Sequence, residues 1–551
     1  MSAQAETVTI EPEAPASPVG VWWRVVDGAM DKAGDYLNPI LVKETRQALK
    51  SRQFTITFAL LLLCGWAWSI LGVALIGPDI WYGAQGAEMF FGYYFILAFP
   101  LLVIVPYGAF RSLAGEREDR TYELMSITAL GPRQIIRGKL GSAVLQMLVY
   151  LSAISPCLAF TYMLRGIDFP TILFILGYTI LSSLSLSVVG LLIGTLTSEK
   201  HWQVVLSVLM VAALLASLWS AVAMTAGMLS WGDMGFDDVY FWIACAAWLT
   251  GHLSYFMLVY YAAAAQITFA SDNRSTRLRI VMLIQHVLFI GWMAWVWIWE
   301  ARGEEEVLII LMVFLGIHWW VMGALMTGES PELSPRAKRQ LPQSFLGRVF
   351  FTWFNPGPGT GYLFAISSLV GGLVMAMIGL ASAEAFGTLR SWGSNYGPTI
   401  IAFGVLGLSY ITIYLGLGLM LVRLFRRFTY VGILLTGLTH ILLLMIGCGI
   451  PTVIQMMSRN LRNLDYTLLQ ITNPIWTLVH IGDRSSLPPE APLLLTVLPL
   501  VALIVFMLNL PGVAAEVRHV RLAKPRRVAD EDAELSAQLA PPEPVRTSPW
   551  D

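Results

Sequence analysis

Apolar runs of about twenty residues alternate with short polar connections along this chain, and the alternation repeats twelve times. The runs lie near 55–76, 90–110, 141–164, 172–196, 203–229, 239–268, 278–299, 307–326, 362–385, 399–422, 429–450 and 492–511. A helix needs about 20 mainly apolar residues to cross hydrocarbon, because inside lipid every backbone amide must be satisfied within its own segment. The pattern predicts an all-α integral membrane protein of twelve transmembrane helices.

Basic residues then orient the spans. Lys43, Arg46, Lys50 and Arg52 precede the first, and Arg423, Arg426 and Arg427 follow the tenth. On the opposite side stand six, Arg165, Arg302, Arg390, Arg459, Arg462 and Arg484, which leaves 29 of the 35 Lys and Arg on one side. Lys and Arg stay cytoplasmic, so both termini are expected there. The net charge of −1 hides this asymmetry and gives no reason to expect nucleic acid. With 56% hydrophobic and 13% charged residues, a string of soluble domains is excluded. Residues 1–20, rich in Pro, Ala and Glu, read as a disordered tail with no signal peptide, and 512–551 as a second, mostly disordered one. Between them lie a connecting segment (21–54) and two six-span modules, 55–270 and 271–511.

The segment NPILVKETRQALK before the first span opens with Asn38 as N-cap and Pro39 at the first helical position, where a missing N–H costs nothing. Leu41, Val42, Thr45, Ala48 and Leu49 share one arc, and Lys43, Arg46 and Lys50 the other. This predicts an in-plane amphipathic helix with its basic face toward lipid head groups.

Between the second and third spans, GEREDRTYELMSITALGPRQIIRGKL mixes both signs of charge. Topology explains only its basic residues, since anionic head groups repel acids. A two-helix hairpin meeting a protein partner accounts for both, with Gly131 breaking the chain and Pro132 starting a helix that runs into the third span. A solvated charged loop is the plainer alternative.

The run E-R-E-x-x-T-x-E-L, followed by G-K-L, resembles the cytoplasmic loop of the membrane-spanning subunits of ABC-2 type ATP-binding cassette transporters. Glu116, Arg117, Glu118, Thr121, Glu123, Leu124, Thr128, Arg133, Gly138 and Lys139 fall on the characteristic positions, whereas Arg120, Ala129 and Gly131-Pro132 depart from them. The likeness covers about 36–270. It implies that the loop is a coupling helix docking on a separate cytosolic ATPase subunit through Glu116, Arg117, Glu118, Thr121, Glu123 and Leu124. Gly138 and Lys139 would then stand at the root of the lever, and the segment before the first span would be the connecting helix. It further implies an exporter permease that binds no cofactor itself, with ATP and Mg used by the partner, and a homodimer or pseudo-dimer of halves. The competing reading is a polytopic scaffold or assembly protein without transport.

No G-x-x-x-x-G-K-[ST] occurs; Gly357, Gly359 and Gly361 of NPGPGTGYLF come nearest but no Lys follows. No H-E-x-x-H or recognisable hydrolase spacing is present, so no catalytic residue and no metal site are expected, and a transferase would need an interfacial cluster of acids or His. Ionisable groups inside the membrane are costly, which makes His252, His318 and His440 candidates for a polar path; a neutral, hydrogen-bonded His is the blander reading of each. The connection GESPELSPRAKRQLPQSFLGRVFFTWFNPGPGTG occupies in the second module the place the charged loop holds in the first, without its motif.

Overall fold

The computed structural model describes residues 38–78, 82–118, 130–196, 199–230, 232, 234–269, 272–300, 306–330, 333–334, 338, 344–385, 396–457, 465–482, 486–520 and 526–539. The first tail, residues 21–37 of the connecting segment, and 119–129 with Thr121, Glu123 and Leu124 lie outside these. Every regular element among the described residues is helical. Among the described residues, twelve helices are long and apolar enough to cross a membrane, one for each apolar run, which makes this a multi-pass membrane protein. The chain divides into two units, Met1–Thr268 and Phe269–Asp551.

In the first unit, α1 (Pro39–Leu49) leads into α2 (Arg52–Ile76). The second span is longer than its apolar run. It comprises α3 (Gly86–Phe99), a π-turn (Pro100–Ile104) and α4 (Val105–Glu118), so the helix continues through the charged residues to Glu118. Pro100 has no N–H to give, and the wider turn absorbs the missing bond. Ser183 donates to the carbonyl of Leu101 in that turn, 2.5 Å away. This span is the core of the unit, with 67% of its apolar window buried. Around it stand α5 (Pro132–Met163), α6 (Phe169–Thr195), α7 (Lys200–Ser230) and α8 (Val239–Ile267). Helix α6 lies closest, because a Cβ at Gly190 or Gly194 would come within 2.8 Å or 2.9 Å of α4 carbonyls, so this G-x-x-x-G face admits the backbone directly.

The second unit comprises α9 (Thr276–Trp295), α10 (Glu306–Met326), α11 (Phe345–Thr352), α12 (Pro358–Ala385), α13 (Tyr396–Phe425), α14 (Ile433–Met457), α15 (Pro474–Gly482), α16 (Ala491–Val520) and α17 (Arg526–Leu539). Its central helix is α13, with 61% of the window buried, flanked by α10, α12, α14 and α16. The buried helix is thus the second span of six in one unit and the fourth of six in the other. The region expected to be mostly disordered after 512 instead continues α16 to Val520 and adds α17. Ala, Glu, Leu and Gln favour helix there, and Arg527 pairs with Glu531 one turn on at 3.4 Å.

Candidate functional site

Asn38 caps α1, its Oδ1 accepting from the Ile40 amide at 3.1 Å, while its Nδ2 donates to the Gln134 carbonyl at the start of α5. Ile40 is buried against α5, where a Cβ at Gly138 would stand 2.8 Å from it. Gly138 therefore lets α1 lie down on α5. Lys43, Arg46 and Lys50 stay on the exposed side of α1.

One residue after Gly138, Lys139 is driven inward, with its side chain 1% exposed. Nζ donates to Glu44 Oε1 of α1 at 2.9 Å and to the Ser112 carbonyl of α4 at 3.2 Å, and Glu116 Oε2 stands 3.1 Å away. Lys43 approaches the other Glu116 oxygen at 3.5 Å. Two cations thus balance two carboxylates, as burial of charge requires.

The E-R-E run is spread, not presented. Successive helical residues point 100° apart, so three neighbours cannot share one face. Glu116 turns to α1 and α5; Arg117 reaches the Gln266 carbonyl at the end of α8, 3.4 Å away; Glu118 lies 3.6 Å from exposed Lys200 at the start of α7. On α5, Arg137 donates to the Tyr260 hydroxyl at 3.1 Å, and Arg133 lies over the Tyr261 ring. The end of the buried span is tied to four helices immediately before the chain enters 119–129.

A second charged cluster closes one end of the second unit. Arg279 is fully buried, donating to Glu329 Oε2 at 2.6 Å, to the carbonyls of Trp353 (2.8 Å) and Gly357 (3.2 Å), and to Thr360 Oγ1 (3.2 Å). Glu329 also accepts from the Gly357 amide at 3.2 Å. Glu516 of α16 takes the amides of Gly359 (2.8 Å) and Thr360 (3.3 Å) on one oxygen, and Arg423 on the other at 3.2 Å. The glycine-rich segment that came nearest to a phosphate loop is a helix start holding the chain's own carboxylates. Gly359 has no room for more, since a Cβ there would lie 2.9 Å from Glu516. Arg426 donates to the carbonyls of Gly328 and Glu329, and burial lowers its proton affinity while nearby Glu516 raises it.

His252, on α8, meets Ser185 Oγ at 2.7 Å and stacks on Trp248. His440, on α14, meets the Thr436 carbonyl at 2.9 Å. His318, on α10, lies edge-on to Trp319, whose indole donates to His286 at 3.0 Å. The first belongs to one unit and the other two to the second, on different helices with different neighbours. No group of three or more His, Cys, Asp or Glu able to hold a metal ion occurs among the described residues.

Sequence reasoning missed Glu44, Ser112, Arg279, Glu329 and Glu516, because their partners are remote in the chain. Comparison with family models, with curated proteins and with solved structures finds no match to this chain.

Proposed function

We propose that this chain is the membrane-spanning permease subunit of an ABC-2 type exporter in a bacterial inner membrane, driven by ATP hydrolysis in a separate cytosolic subunit. The observation that carries the reading is where the charged connection is rooted. One root, at Glu118, ends the most buried span of the first unit; the other, at Pro132, begins α5; and Lys139 joins both to α1. A partner pressing on 119–131 moves the centre of the unit and not its rim. Both termini and α1 lie on the cytoplasmic side in this reading, with the exposed Arg46 and Lys50 toward head groups.

With Glu116 directed inward, docking falls to Thr121, Glu123 and Leu124, while Glu116, Gly138 and Lys139 transmit. ATP and Mg are bound by the partner. The test is purification from native membranes. The complex should contain a soluble ATPase, and the chain stripped of it should show no saturable nucleotide binding. Nucleotide binding by the isolated chain, or a native complex without an ATPase, counts against the proposal and in favour of a scaffold.

A further inference from the structure

The second span carries two prolines six residues apart, Pro100 and Pro106, and its π-turn lies between them. In that turn the Val105 amide donates to the Pro100 carbonyl, five residues back, and is withheld from Leu101, its partner in an α-helix. The donor that could take its place, five residues beyond Leu101, is Pro106, which has no N–H. The carbonyl of Leu101, a fully buried residue, is thus left without a backbone donor in its own helix. Ser183 of α6, also fully buried, supplies the missing bond.

On either side of this level the span is held differently. Toward Gly86, side-chain bonds tie α3 to its neighbours: Trp68 Nε1 of α2 donates to the Met89 carbonyl at 3.1 Å, and the hydroxyls of Tyr93 and Tyr94 meet Ser69 of α2 (2.6 Å) and Thr179 of α6 (3.2 Å). Toward Glu118, α4 is joined to α6 by the backbone approach at Gly190 and Gly194, and its Tyr107 hydroxyl meets Ser207 of α7 at 3.2 Å. Helix α6 is itself soft where it passes the turn. Ser182, Ser183, Ser185 and Ser187 crowd into six residues, and Ser187 donates back to the Ser183 carbonyl at 2.8 Å, a bond that competes with the helical ladder and favours bending.

We propose that residues 100–106 are a hinge in the buried span, clasped by Ser183, on which α4 and the part of α6 from Val188 onward swing together against α3. Sharp bends in helices arise where a proline or a π-turn breaks the ladder, and this span has both at one level. With Ser183 seated, the Leu101 carbonyl is satisfied and the turn is held. Opening costs that one buried hydrogen bond and leaves the rest of the unit folded. The hinge rests on backbone geometry and stands whether or not a partner engages 119–131.

Hydrogen exchange of the full-length protein in nanodiscs, read at single amides, tests this. Amides of 101–105 should exchange about tenfold or more faster than those of 89–94 and 108–114, although the middle of a span is farther from water than its ends. Ser183→Ala should raise exchange at 101–105 about another tenfold, and Pro106→Ala, which returns an N–H to the turn, should lower it. Thr179→Val removes an equally buried hydroxyl bond one turn along the same face of α6 and should leave 101–105 unchanged. Should Ser183→Ala not fold, the opposite sign of Pro106→Ala carries the test. Exchange at 101–105 no faster than in the flanking segments, an equal response to Ser183→Ala and Thr179→Val, or no slowing in Pro106→Ala overturns the hinge.

Discussion

In the first unit one buried lysine gathers a glutamate from α1 and another from α4, while in the second a buried arginine and a half-exposed one hold two glutamates against a glycine-rich helix start. Both arrangements pair buried charge, but they differ in how firmly they fix geometry. An ammonium is a point charge on a flexible stem and keeps its partners through a shift of several tenths of an ångström. A guanidinium is a planar fork, and Arg279 uses it on four acceptors at once. The first cluster suits an end that moves with its neighbours, the second an end that stays clamped.

The largest effect is expected at Arg279. Arg279→Ala leaves the half-buried Glu329 without its cation and three further acceptors without their donor, and should destabilise the protein by about 3–5 kcal/mol, read as the midpoint of unfolding in mixed micelles. Arg279→Lys keeps the charge and loses the fork, and should still cost about 2 kcal/mol. Wild-type stability of that variant would remove the clamp from the comparison.

Lys139→Met should cost about 2–3 kcal/mol, less than Arg279→Ala because Lys139 leaves one carbonyl, that of Ser112, without its donor, whereas Arg279 leaves the Trp353 and Gly357 carbonyls and the Thr360 hydroxyl. Adding Glu44→Gln and Glu116→Gln should restore most of the loss, and Lys139→Arg should be nearly neutral. A triple variant as unstable as Lys139→Met would mean that packing, not charge, dominates there.

Smaller still, Gly138→Val should lift α1 from α5 for about 1–3 kcal/mol and speed tryptic cleavage after Lys43 and Arg46. Unchanged cleavage would show that α1 is held by other contacts. Smallest of all, Lys200→Ala should shift stability by less than about 0.5 kcal/mol, because its pair with Glu118 is exposed.

The twelve spans were legible because a run of about twenty apolar residues has few other uses. The N-cap Asn38, Pro39 at the first position and the start at Pro132 were legible for the same reason, since each depends on neighbours in sequence. The true end of α4 was not, because charged residues after an apolar run read as loop, although Glu116 and Arg117 each meet a partner that offsets the cost of taking their charge out of water. One clue lay in the sequence: three consecutive charges on a helix cannot face one partner. The Lys139–Glu44 and Glu516–Gly359 contacts join residues far apart in the chain, and no local pattern reports them. The helix of the final tail was hidden by its charge content, which resembles that of a disordered segment.

The account rests on 119–129 being the place where a soluble ATPase engages the core of the first unit. Photo-crosslinking residues introduced singly at Thr121, Glu123, Leu124 and, in the second long connection, Glu332 measure this in native membranes. Adducts to a soluble ATPase are predicted at the first three positions and not at Glu332. An absence of ATPase adducts at all three, or equal yield at Glu332, would contradict it.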